Sequence, residues 1–229
     1  RYVFHESGTL VSGIIGGLYS STATISVLAR KSRKASEQEA TDYVAAMLLA
    51  VSMMFLRFMI LILIFSREIF LSIYPYLLTM AVVAAIVAWF IHSRQKRPED
   101  QPAETEEDDS SNPLEFKVAL IFAVLFVIFT FLTHYTLVYA GTGGLNLLSF
   151  VSGFSDITPF ILNLLQNTGS VAALIITACS MQAIISNIMV NMFYALFFAG
   201  KGSKLRPWIL GGFGVVIACN LVLLLFFYI

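Results

Sequence analysis

Gly153-Phe154-Ser155-Asp156-Ile157-Thr158-Pro159 and, 136 positions earlier, Gly17-Leu18-Tyr19-Ser20-Ser21-Thr22-Ala23 are small, polar, glycine-led interruptions of apolar sequence. At this offset Gly17 aligns with Gly153, Ser20 with Asp156, Thr22 with Thr158, Ile25 with Ile161 and Leu28 with Leu164. Inside a bilayer, backbone that leaves a helix must meet protein, water or an ion. The pair therefore predicts two broken helices, and the other segments are read around them.

Hydrophobic residues make up 58% of the 229 and charged residues 12%, against roughly 25% charged in a soluble domain. Mean hydropathy is +0.83. These values predict an all-α polytopic membrane protein. Apolar runs near the 20 or so residues that a crossing needs lie at 44–66, 71–92, 116–140, 171–199 and 208–229, with interrupted runs at 8–29 and 144–168. The expected architecture is about five full transmembrane helices plus two interrupted, re-entrant segments. Ser20 is expected to cap a half-helix over 21–29, and Pro75 to mark the start of the helix over 76–92. The first residue is Arg1 and not Met, which predicts a piece of a longer protein.

Ten of the 14 Lys and Arg residues sit in three clusters: Arg30 to Lys34, Arg94 to Arg97, and Lys201 to Arg206. The positive-inside rule places all three on the cytoplasmic side. With both later clusters cytoplasmic, 116–140 runs outward and 171–199 starts outside, so 144–168 enters and leaves on the outer face. Residues 93–114 combine a basic start with seven acids, Pro and Ser, and are expected to be a disordered cytoplasmic linker. They divide a first membrane repeat, 1–92, from a second, 115–229, which has an extra leading helix. If 8–29 re-enters from the cytoplasmic side, the halves form an inverted repeat. Beyond the breaks, Ala45, Ala50, Ser52 and Met53 match Ala173, Ala178, Ser180 and Met181 at an offset of 128.

Asp156 is the acid placed at depth. It is read either as a cation or proton site, helped by Ser155 and Thr158, or as the N-cap of a half-helix that begins near Pro159. Asn187 and Asn191 share a helical face; they offer oxygens to a metal or its waters, or hydrogen-bond between helices. Arg57 pairs with Asp156, repels cations or snorkels. Ser20, Ser21 and Thr22 line the other break or permit close packing. Two half-helix N-termini also suit an anion, though the Asp156 carboxylate favours a cation. Asp156 and Asn187 are the candidate metal ligands. Cys179 and Cys219 read as small buried hydrophobes. His134 reads as structural more than proton-sensitive. No phosphate-binding loop, zinc-protease helix or nucleophile elbow is present, so no enzymatic activity is expected.

The stretch GIIGGLYSSTATISVLARKS from Gly13, with AAMLLAVSMMFLR over 45–57, SGFSDITPFILNL and the Asn187 to Lys201 region, resembles the C-terminal membrane domain of unknown function found behind MgtC/SapB-type domains. In that family the second motif usually reads Asp-x-Asp, where this chain has Thr158. The resemblance implies a bacterial inner-membrane protein and an association with magnesium. The expected function is an inorganic cation channel or transporter, for Mg²⁺ or another cation, without a resident cofactor. The alternatives are a non-transporting regulator acting through protein partners, and an anion or proton-coupled transporter. Expected partners are the lipid bilayer, the ion and a second copy in a homodimer, with no nucleic acid.

Overall fold

The computed structural model describes residues 8–33, 35, 39–94, 114–166, 171–200 and 203–228. Among these residues the chain forms seven helices and no strand: α1 (Gly8–Lys31), α2 (Glu39–Phe65), α3 (Arg67–Ser93), α4 (Leu114–Ser152), α5 (Thr158–Gln166), α6 (Ala173–Ala199) and α7 (Arg206–Tyr228). Six helical stretches are long and apolar enough to cross a membrane, which makes this a multi-pass membrane protein. Five match the uninterrupted runs read from sequence. The sixth, Gly8–Lys31, is long enough by count but is broken at Ser20. The acidic stretch of the expected linker lies outside the described residues.

The chain divides into two compact units, Arg1–Asp100 with Ile188–Ile229, and Gln101–Asn187. In the first unit α2 packs between α1 and α3, and α7 packs on α2 and α3. Small side chains allow close approach: a Cβ added to Gly13 would overlap the Ala46 backbone, and one added to Gly17 would lie 2.5 Å from the Ala50 Cα. Ser52 Oγ donates to the Ala81 carbonyl at 2.8 Å, and Phe55 meets Tyr76 edge-on at 6.5 Å. The buried Tyr76 hydroxyl donates to Asn220 Oδ1, joining α3 to α7.

Helix α3 starts earlier than Pro75, which corrects the expected boundary. Ser66 is extended and its Oγ accepts from Ile69 N at 3.4 Å, an N-cap that begins the helix at Arg67 with Glu68 in its first turn. Pro75 lies within α3, as membrane helices tolerate.

The described members of the three basic clusters collect at one end of this unit, away from Arg57 within α2 and Arg67 at the start of α3. Arg33 donates to the carbonyls of Phe197 and Phe198, and Arg30 lies over the Phe198 ring, so the end of α1 meets the end of α6. Asp42 and His92 are 2.7 Å apart, tying the start of α2 to the end of α3, where Arg94 follows. A Cβ on Gly212 would meet Leu48 and Ile91, which brings the start of α7, with Lys204 and Arg206, to the same end.

In the second unit α4 is broken at Gly141, whose φ of 57° suits glycine. The chain reverses there: Gly144 sits against the Thr136 side chain, eight residues back, a spacing of about 12 Å in a continuous helix. The arm 142–152 then packs along α6. Asn163 Nδ2 donates to Thr130 Oγ1 at 2.9 Å and the Phe160 ring meets Phe129 at a tilt of 59°, fastening α5 to α4.

Candidate ion site at two helix breaks

Helix α1 is two arms, 8–19 and 21–31, joined at Ser20, which is extended at φ −154°, ψ 107°. Ser20 Oγ accepts from Ala23 N at 3.3 Å and Thr24 Oγ1 donates to the Ser20 carbonyl at 2.8 Å. This is the expected N-cap. The arms fold back on one another, since a Cβ on Gly16 would lie 2.5 Å from Thr24 Oγ1, eight residues on. Arg57 of α2 donates from Nη1 to the Tyr19 carbonyl at 2.6 Å. A cation at the carbonyl end of a helix is favoured by the helix dipole and supplies a donor that the broken backbone lacks. Ser21 is buried, and Ser20 and Thr22 are half-buried.

The second break spans 153–157. Tight turns close the arm 142–152, with Phe154 N to the Val151 carbonyl at 3.1 Å and Ser155 N to the Ser152 carbonyl at 3.1 Å. Asn187 of α6 donates from Nδ2 to the carbonyls of Gly153 at 3.2 Å and Ser155 at 3.4 Å. Asp156 Oδ1 accepts from Thr158 N at 2.9 Å, so the carboxylate opens α5 as a cap. Asp156 is nevertheless exposed, while Ser155 and Thr158 are half-buried. Gly153 is required by packing, because a Cβ there would overlap the Ser186 side chain.

Each break thus receives a donor from the following long helix at its carbonyl side and a side-chain acceptor at its amide side. In the second unit the structure brings Ser155, Asp156 and Thr158 together with Asn187. In the first it brings Ser20, Ser21 and Thr22 together with Arg57. Asn191, fully buried one turn beyond Asn187, belongs to the first unit. Of the two candidate metal ligands, Asn187 turns its amide nitrogen to the break, which leaves Oδ1 as its only acceptor. Sequence reading missed the carbonyls of Tyr19, Gly153 and Ser155 as partners, since backbone acceptors have no residue-type signature.

One spacing of packed pairs recurs in both units. Gly13 meets Ala46, Gly17 meets Ala50, Asn146 Oδ1 accepts from Cys179 Sγ at 3.5 Å, and Gly153 meets Ser186. Each pair is 33 residues apart. The offset of 136 thus relates the contacts on α2 to those on α6, with Ala50 and Ser186 in like positions, and the 128 match has no counterpart among these contacts. Ala, Ser and Met are frequent enough on membrane helices to produce it.

No solved structure matches this chain. An uncharacterized protein of Aquifex aeolicus (strain VF5) is 24% identical over 227 residues, covering 96% of each chain. The family model described as "Domain of unknown function (DUF4010)" matches residues 1–199. A multi-pass helical chain matched over that length belongs to the DUF4010 family.

Proposed function

We propose that this protein is an inorganic cation channel or transporter built on an inverted repeat, with its ion site at the two helix breaks. The observation that carries the reading is the pair of breaks themselves: each is held open by a side chain from the next long helix, and one presents the exposed carboxylate of Asp156. An acid kept within an apolar segment is costly unless it is hydrated, paired or ligating.

Re-entry follows from length and reach. The arms of α1 are 12 and 11 residues long, about 18 Å each, too short to cross a core of about 30 Å. In the second repeat the arm 142–152 runs parallel to α6, so Ala173 lies about 20 Å along α6 from the level of the break. If α5 continued onward for its nine residues, Gln166 would lie more than about 30 Å from Ala173. Seven peptide links span at most about 25 Å. The return of α5 toward the side it came from satisfies the reach. Helix α2 leaves the basic end at which α6 finishes, which supports opposite orientations for the repeats, with that end cytoplasmic.

A hydrated Mg²⁺ held by Asp156, the Asn187 oxygen and loop carbonyls is the first candidate cargo. The link to magnesium, and to MgtC/SapB proteins, rests on the motif resemblance. Residence in a bacterial inner membrane is favoured by the bacterial relative. A homodimer is the expected assembly. A second reading has its own observation: Asp156 Oδ1 bonds to Thr158 N, two residues away, as a purely local cap would. This suits a non-transporting regulator with protein partners. The N-termini of the two half-helices keep anion or proton-coupled transport as a further alternative.

The test is uptake of Mg²⁺, Na⁺ and K⁺ by liposomes holding the purified chain. Flux above that of empty liposomes, lost in Asp156→Ala with folding intact, is expected. Absence of flux for all three ions rejects transport in favour of the regulator.

A further inference from the structure

Helix α6 carries a polar row that its counterpart α2 matches only at Thr41. Thr177, Ser180 and Asn187 are spaced three and seven residues apart and project from one side of the helix. Thr177 and Ser180 are fully buried and Asn187 is 3% exposed. At the offset of 136, the same side of α2 holds Thr41, Val44, Leu48 and Val51, and the last three are fully buried hydrocarbon. The first repeat therefore acts as an internal control. At the Ser180 position this helix face packs well with the apolar Val44, so packing does not require the hydroxyl of Ser180, whereas Asn187 has its duty at the break.

The two hydroxyls differ from the buried serines of the same unit and share their lack of a partner with Thr133 of α4, which has no second such group beside it among the described residues. Ser149 and Ser152 donate to the Leu145 and Ser149 carbonyls of their own helix. Thr177 Oγ1 and Ser180 Oγ have no hydrogen-bond partner among the described residues. Burying a hydroxyl without a partner is unfavourable, and hydrocarbon offers no compensation. Two such groups one helical turn apart, in line with the asparagine that braces the break, point to a polar ligand.

We propose that Thr177 and Ser180 form a second cation station on α6, about 10 Å from the level of Asn187. Its ligand class is a hard alkali or alkaline-earth ion that keeps part of its water shell. Neutral hydroxyl oxygens replace some of that shell, and weak sequential binding suits passage. The inference rests on the ion-path reading and adds to it the side of α6 along which the ion moves.

The experiment compares the unsubstituted chain with Thr177→Val, Ser180→Ala and the double variant in liposomes loaded for Mg²⁺, Na⁺ and K⁺ flux, with thermal unfolding measured in parallel. The double variant is expected to lose flux at least tenfold with a melting temperature unchanged or raised, because two unpartnered hydroxyls are removed. Flux unchanged in the double variant overturns this inference and leaves the ion path standing. No flux in the unsubstituted chain overturns both. A fall in melting temperature with flux reduced only in proportion to folded protein assigns the hydroxyls to structure and also overturns it. Water access gives an independent readout. In a background with Cys179 and Cys219 replaced by Ala, Ser180→Cys is expected to react with a water-soluble thiol reagent at least tenfold faster than Val44→Cys, its apolar counterpart. Equal, slow reaction at both positions contradicts the proposal.

Discussion

Asn187 Nδ2 donates to the carbonyl of Gly153 at 3.2 Å, across 34 residues of sequence, and so braces the open end of a helix that stops within apolar surroundings. A carbonyl at a broken helix end needs a donor, and removing a buried one costs about 1–3 kcal/mol. Asn187→Leu, similar in size but without the amide, is therefore expected to lower stability by about that amount. Thermal unfolding in detergent checks it, and Asn187→Gln is expected to recover part of the loss.

Arg57 has the corresponding duty at Tyr19 in the other repeat. Its guanidinium supplies both a directed donor and a charge beside a helix carbonyl end. Arg57→Gln is expected to destabilise by about 1–3 kcal/mol, with Arg57→Lys intermediate. Equal stability of all three forms, measured by thermal unfolding, would assign Arg57 no structural role at the break.

Glycines divide by what surrounds them. Gly17→Ala and Gly153→Ala push a methyl group into Ala50 and Ser186 and are expected to cost about 1–3 kcal/mol through overpacking. Gly211→Ala and Gly214→Ala in α7 meet open space, and higher helix propensity is expected to stabilise them by up to about 1 kcal/mol each. Expression and melting temperature of the four variants separate the two classes.

The roles of Asp156 as cap and as charge are separable. Asp156→Asn keeps an Oδ1 that can accept from Thr158 N but carries no charge. Stability is expected to stay within about 0.5 kcal/mol of the unsubstituted chain. Cation flux in liposomes is expected to fall at least tenfold. Full flux in this variant would leave the carboxylate with capping alone.

Much of this arrangement was legible because breaks in membrane helices leave a residue-type signature. Ser20 and Asp156 stand out as short polar side chains that accept from backbone amides. Clustered Lys and Arg residues marked one end of the first unit in the same way. The braces at the breaks were not legible, since Arg57 and Asn187 act on carbonyls that any residue could supply. The α3 boundary was misplaced because Pro75 is a strong helix signal in soluble proteins and a tolerated interior residue in membrane helices, while the Ser66 cap is only one residue long. The repeat register in α2 and α6 required the recurring 33-residue spacing between touching backbones.

The most direct test is the face of the membrane from which each break is reached. In a background free of Cys179 and Cys219, Ser155→Cys and Thr22→Cys are exposed in turn to an impermeant thiol reagent in intact cells and in inside-out vesicles. Opposed re-entrant hairpins predict labelling of Ser155→Cys from the outer face and of Thr22→Cys from the cytoplasmic face. Labelling of both from a single face, or of neither from any, would contradict the account.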